Sequence, residues 1–417
     1  MEINGKSEYS NVITGQTNDV AGRTDASMLY ALVDAEIHPV GRKTFKKGIM
    51  LWQGAKILAL GDSGKIAIPE GAVRIDGKGM TAIPGLIDAH THLGILEEVY
   101  GYEGDDLNET GDSAITPELR AIDGINPYDL AFCDALSGGV TTVMVAPGSA
   151  NVIGGSVCVM KTAGVDLDAM LLDPEAGVKA AFGENPKRVY LEQKKLPTTR
   201  MGIASLMRQA FIDAQDYAQK KEKAEEEGEA QERSLGMELL CRLLRREIPL
   251  RAHAHRADDI HTAIRIAKEF DLRLILEHGT EAAKVIPTLQ KEKIPVVIGP
   301  SFANRAKVEM EQVGWQVVKQ LVDANVLVSL ITDHSVTPIQ YLSLCAAMAV
   351  RSGLTWDQAL ETVTINPAKI LDLDHRIGSL APGKDADFAL YDGDPFHYKS
   401  HCLATYVDGH RVWEAGA

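Results

Sequence analysis

PGLIDAHTHLG, residues 84–94, governs how the rest of the chain is read. The apolar pair Leu86 and Ile87 opens a short strand that stops at two histidines, His90 and His92. Residues two apart on a strand point the same way, so this strand can aim both imidazoles at one ion. An apolar strand that ends in metal-liganding side chains is the pattern of parallel sheets, where function gathers at the carboxyl ends.

The pattern recurs downstream. EIPLRAHAH (247–255) ends in His253 and His255, LRLILEHG (272–279) reaches His278, and NVLVSLITDHS (325–335) reaches Asp333. KIPVVIGPS (293–301) is a further strand, and GVTTVMVAPG (139–148) an earlier one. Helical stretches lie between them. ADDIHTAIRIAKEF (257–270), for example, sets Ile260, Ala263, Ile264, Ala267 and Phe270 on one face. Buried strands alternating with helices imply an α/β chain with a parallel sheet, and about eight such units close a TIM-type (β/α)8 barrel. No GxGxxG follows the first strand, which argues against a dinucleotide fold. In a barrel the carboxyl ends share one face, so His90, His92, His253, His255, His278 and Asp333 converge there. Imidazoles plus a carboxylate make a site for a divalent metal with an open position, zinc foremost, though Fe, Mn or Ni suit the same donors.

Both ends of the chain read differently. SMLYALVDAEIHPV (27–40), GIMLWQGAKILALG (48–61) and IAIPEGAVRIDG (66–77) are short strands, and ADFALYDGDPF and CLATYVDGHRVWEAG repeat that texture near the C-terminus. The expectation is a small β-sandwich domain built from 27–82 and 381–417, a barrel over 83–380, and a flexible tail over 1–26. With 417 residues, 45% of them hydrophobic, the chain can bury a large core. A formal charge of −15 excludes nucleic acid and an anionic membrane surface as general partners, leaving a small-molecule substrate and an open question of homo-oligomers. Cys133, Cys158, Cys241, Cys345 and Cys402 form no CxxC pair and read as buried thiols of a reducing compartment. With no membrane-length apolar run, the expected location is cytoplasmic. QKKEKAEEEGEAQER (219–233) reads as a solvated helix.

PGLIDAHTHLG, SGGVTTVMVAPG (137–148), AHAHRADDI (252–260), LEHGTEA (276–282), LITDHS (330–335) and the segment 364–396 together resemble the amidohydrolase superfamily. Within it they look closest to the imidazolonepropionase-like group. The resemblance runs from about Met28 to the end. It implies that His90 and His92 are first-strand ligands, His253 the fifth-strand ligand, His278 the sixth-strand histidine and Asp333 the eighth-strand aspartate. His255 then touches substrate, although the roles of His253 and His255 can be exchanged. Two-metal members carry a carbamylated lysine on the fourth strand. Lys179 is the candidate here, with Glu184 as a carboxylate substitute, against a reading with one metal and an ordinary lysine.

The chemistry expected is hydrolysis of an amide or cyclic-amide C–N bond. Asp333 serves as general base and then acid, and His278 or His255 binds the oxyanion. A prolidase-like metallo-dipeptidase and a ring deaminase are the alternatives, with a non-catalytic scaffold behind them. Asp88 reads as a partner for a histidine or as structural. Candidate substrate contacts are His255, His334, Arg200, Arg305 and Asn151, the last within the Gly-rich ANVIGG (150–155).

Overall fold

The computed structural model describes residues 25–416 apart from 100, 110–112 and 165, so the tail expected over 1–26 lies outside the described residues except for Asp25 and Ala26. Sixteen strands follow in chain order: β1 (Leu29–Ile37), β2 (Phe45–Gln53), β3 (Lys56–Asp62), β4 (Val73–Asp76), β5 (Thr81–Pro84), β6 (Leu86–Thr91), β7 (Val140–Val145), β8 (Ile153–Lys161), β9 (Leu171–Ala181), β10 (Leu250–Ala254), β11 (Leu274–His278), β12 (Val296–Ile298), β13 (Val328–Leu330), β14 (Phe388–Tyr391), β15 (Cys402–Val407) and β16 (His410–Glu414).

Strands β6 to β13 form one eight-stranded sheet in sequence order that curls into a nearly closed barrel. Side chains close the seam. The backbone N–H and hydroxyl of Thr332, just past β13, both donate to Asp88 of β6, at 3.0 and 2.5 Å. His92 N–H donates to the His334 carbonyl at 2.8 Å. The barrel is not uniformly parallel, contrary to expectation, because β8 runs antiparallel to both β7 and β9. Only residues 146–152 separate β7 from β8. A parallel return needs a crossover of a dozen or more residues, so this short loop sends the chain straight back. Within β8, Gly155 at φ +113° leaves room for the Leu119 carbonyl oxygen, which an added Cβ would meet at 2.3 Å.

Ile87, Ala89, Met144, Val157, Val159, Ile275, Val297 and Ile331 fill the barrel, while the alternate residues pack outward under the helices. Among these the helix Ala257–Glu269 buries Ile260, Ala263, Ile264 and Ala267, the face its periodicity predicts. The helix over the charged run spans Arg200–Glu227 and ends on left-handed Gly228, so residues 229–233 fall outside it.

The other strands form a second eight-stranded sheet from both chain ends, ordered β16-β15-β14-β5-β1-β2-β3 with β4 beside β1. Hydrogen bonding runs through it as one sheet. Trp52 anchors its core, edge-on to Phe388 and Tyr406, with its Nε1 donating to the Gly409 carbonyl at 3.0 Å. Two contacts tie this sheet to the helix Leu130–Ser137 and the residue after it: the Thr405 hydroxyl donates to the Leu136 carbonyl and the Tyr391 hydroxyl to that of Gly138. Lys161 adds a buried charge bridge, its Nζ lying 2.9 Å from Asp385, 2.9 Å from Asp387 and 2.6 Å from Asp408. All five cysteines are buried and free. No helix among the described residues is long and apolar enough to cross a membrane.

Candidate functional site

At the carboxyl ends of the barrel strands two groups of liganding side chains gather: His90, His92 and Asp333, and His253, His255 and His278. Local backbone features aim them. Strict alternation would send His90 away from the barrel interior where Ile87 and Ala89 point. A register irregularity between Asp88 and Thr91 breaks that alternation, as bulges do when they re-aim a side chain. His278 and Asp333 both take left-handed backbone, at φ +70° and +53°. Such conformations cost non-glycine residues of order 1–2 kcal/mol and are held only where the surroundings enforce them. The turn at His278 brings its ring within 4.9 Å of His90 and 4.3 Å of His253, centroid to centroid.

Hydrogen bonding fixes which nitrogens face inward. A carbonyl can only accept, so His92 Nδ1 carries the proton it gives to the Ala146 carbonyl, and His278 Nδ1 the one it gives to Gly299, each at 2.7 Å. Their Nε2 atoms keep a free lone pair. His90 Nδ1 lies 2.7 Å from Glu277 Oε2, which turns its Nε2 likewise toward Asp333 Oδ1, 3.4 Å away. His92 Nε2 is also 3.4 Å from that oxygen. Asp333 Oδ1 and His253 Nδ1 are buried with no hydrogen-bond partner among the described residues. Lone pairs converging on an unpartnered buried carboxylate oxygen fit a divalent cation.

Electrostatics agree with that fit. Burial holds the imidazoles of His90, His253, His255 and His278 below the usual histidine range, His255 at about 4, so they stay neutral donors of electron pairs.

Lys179, on β9, is completely buried. Its Nζ stands 3.2 Å from His90 Nε2 and 3.7 Å from Glu277 Oε2. Burial lowers its pKa, against the pull of Glu277 and Asp333. Glu184 opens a helix and gives its backbone N–H to Glu309. Among the expected substrate contacts, His255 faces the site, its Nδ1 paired with the Thr280 hydroxyl at 2.7 Å. His334 is fully buried, accepts from Ile339 N–H, and sets its Nε2 3.4 Å from Glu98.

The hydrogen bonding gives four other singled-out residues partners within the protein. Asn151 spends its amide on Tyr190 and Thr116, at 2.6 and 3.2 Å, and ties a buried loop. Arg200 is clamped by both carboxylate oxygens of Asp259, at 2.8 and 3.0 Å, and Arg305 by the Glu311 carbonyl. Asp88 closes the barrel seam, and burial pushes its carboxyl up to about 7 despite three donors.

The histidine partner is instead Glu277, which the sequence reading missed. Glu277 shares the inward parity of Ile275, and its other oxygen accepts from Arg251 Nε at 2.7 Å. A charged residue one position before a strand-end histidine, with an arginine at the same inward parity on the neighbouring strand, was the available signal.

Comparison with known proteins agrees with this architecture. The model of the amidohydrolase family matches residues 81–412. An amidohydrolase, tasK, of Hapsidospora irregularis is 31% identical over 369 residues, covering 82% of this chain; the chain spans 37% of that relative's length. An imidazolonepropionase of Streptococcus pyogenes serotype M1 is 30% identical over 103 residues, 24% of each chain. Among solved structures, an amidohydrolase from Thermotoga maritima MSB8 superposes with a TM-score of 0.89 at 44% identity, covering 92% of this chain and 100% of that one.

Proposed function

The chain belongs to the amidohydrolase family, and from that premise we propose that it hydrolyses an amide or cyclic-amide C–N bond of a small molecule with a divalent metal, zinc foremost. One observation carries the reading: the buried, unpartnered Asp333 Oδ1 stands 3.4 Å from the Nε2 atoms of both His90 and His92. These three, with His253 and His278, are the residues that would hold the ion. The catalytic unit is the barrel over 83–380, with 27–82 and 381–417 as its companion domain.

An amide carbonyl is a weak electrophile and water a weak nucleophile. An ion held by these residues would supply a lowered pKa for water and polarisation of the carbonyl. Asp333 Oδ1 faces the same space and takes the proton of the attacking water. It then returns that proton to the departing nitrogen, which would otherwise leave as a poor anion. His255 Nε2, on the facing wall, steadies the oxyanion, and burial of the whole cluster strengthens each of these interactions. Lys179 favours two ions: its amine is buried beside His90, and as a carbamate it would offer two oxygens there. Within the family we place the chain nearest the imidazolonepropionase-like group.

The test is turnover of cyclic amides, dipeptides and aminated heterocycles by the chelated protein before and after metal is restored. Metal-dependent opening of amides is expected. Turnover confined to ammonia-releasing rings would replace hydrolysis of amides by deamination. Absence of bound metal, with no stabilisation on adding it, would leave only a scaffold.

A further inference from the structure

The loop after β12 places one more carboxylate against the histidines. Glu309 is 2% exposed, and its Oε2 is anchored by the Glu184 N–H at 2.9 Å. Its Oε1 is buried and has no hydrogen-bond partner among the described residues. The nearest ring nitrogens, His255 Nε2 at 3.9 Å and His253 Nε2 at 4.0 Å, stand beyond hydrogen-bond reach. Neighbouring cations are engaged elsewhere. Lys307 Nζ donates to Asn185 Oδ1 at 2.6 Å, Arg200 is bound to Asp259, and Arg305 to the Glu311 carbonyl. A buried carboxylate oxygen without a donor is costly, so what completes it arrives with the ligand.

The approach to the site has the same sign. From Ile95 to Leu119, the stretch that leaves the end of β6, the chain carries Glu97, Glu98, Glu103, Asp105, Asp106 and Glu109 with no lysine or arginine. Glu98 reaches His334, and Glu109 Oε1 accepts from Ser149 N–H. Carboxylates around a low-dielectric cleft focus the field and concentrate cations there.

We propose that Glu309 is the specificity residue of this site, its Oε1 binding a positively charged nitrogen of the substrate, such as a free ammonium group. The substrate class is then a cationic amide, for example an aminoacyl amide with its amine unblocked. This rests on the hydrolase reading above.

Two measurements on the metal-loaded full chain test it. The first is turnover of matched amides, leucine p-nitroanilide with its amine free or acetylated, by the wild-type chain and by Glu309→Gln. At least a tenfold preference in kcat/KM for the free amine is expected, and the substitution should erase it while the acetylated substrate changes less than threefold. The second needs no turnover: binding of benzylamine against benzyl alcohol by calorimetry, with metal content measured alongside. The amine should bind at least tenfold more tightly, through Glu309 alone. Equal binding of amine and alcohol, equal loss of both in Glu309→Gln, or loss of metal from that variant would overturn the proposal. Amine binding through Glu309 without any amide hydrolysis would sink the hydrolase reading and with it the amide substrate class, leaving only Glu309 as the amine-binding residue. Hydrolysis indifferent to the amine would do the reverse.

Discussion

Lys161→Met should loosen the join between barrel and second sheet. The Lys161 side chain is 2% exposed and serves three carboxylates. Asp385 would keep Lys56 at 2.5 Å and Arg376 at 2.8 Å, and Asp408 reaches solvent. Asp387 would not be compensated: it is buried, and its remaining donor is the Asp408 N–H at 2.7 Å. Stranding one buried charge costs about 3–5 kcal/mol, while removing both partners is often near neutral. Urea denaturation at about pH 8 should therefore show a loss of about 3–5 kcal/mol for Lys161→Met. Adding Asp387→Asn should recover about half of it or more.

The pH dependence has a definite sign. Burial already raises Asp387 above the ordinary carboxyl range, to about 6, with Lys161 opposing the rise. The folded chain thus keeps a proton that the unfolded chain has lost between about pH 4 and pH 6, so this group's contribution to stability falls as pH rises through that window. Removing Lys161 raises Asp387 further and carries the window toward neutral pH. The variant's deficit should shrink between about pH 8 and pH 6. A deficit below about 1 kcal/mol, unchanged by pH and deepened by Asp387→Asn, would refute the reasoning.

Asp333→Asn should lower turnover by about 10²- to 10⁴-fold, read as initial rates at matched metal content. Glu277→Gln removes the charge behind His90 and should weaken metal affinity by about 10- to 100-fold in competition with a chelator, the fold retained by circular dichroism. Stripping the metal should abolish turnover. Restoring it at about a hundred times its Kd should raise stability by about 2.7 kcal/mol, measured as a shift in thermal midpoint.

The clustering of His90, His92, His253, His255, His278 and Asp333 was legible because ligand-type residues stood at the ends of apolar runs, and strand ends in a curled sheet must converge. His90 and His92 carried that signal at a spacing of two, and His278 and Asp333 by position alone. The reversed strand β8 was not legible. An apolar run looks the same in either direction, and only the shortness of residues 146–152 separates the two cases. For Arg200 and Asn151 the sequence shows a polar residue type but not its partners, Asp259 and Tyr190, which come from elsewhere in the chain. Glu309 lies in a loop without periodicity, where no pattern reports burial.

The amino-acid order by itself determined the family, the alternation that builds a barrel and the donor types of the site, since these depend on local spacing and residue chemistry. The tertiary structure alone decided which nitrogen of His92 and of His278 faces the site, that Glu277 rather than Asp88 stands behind His90, that Lys179 reaches the site and that Glu309 closes one wall. Those facts depend on distances between residues far apart in the chain and on left-handed turns at His278 and Asp333, which the fold imposes on residues that would not choose them.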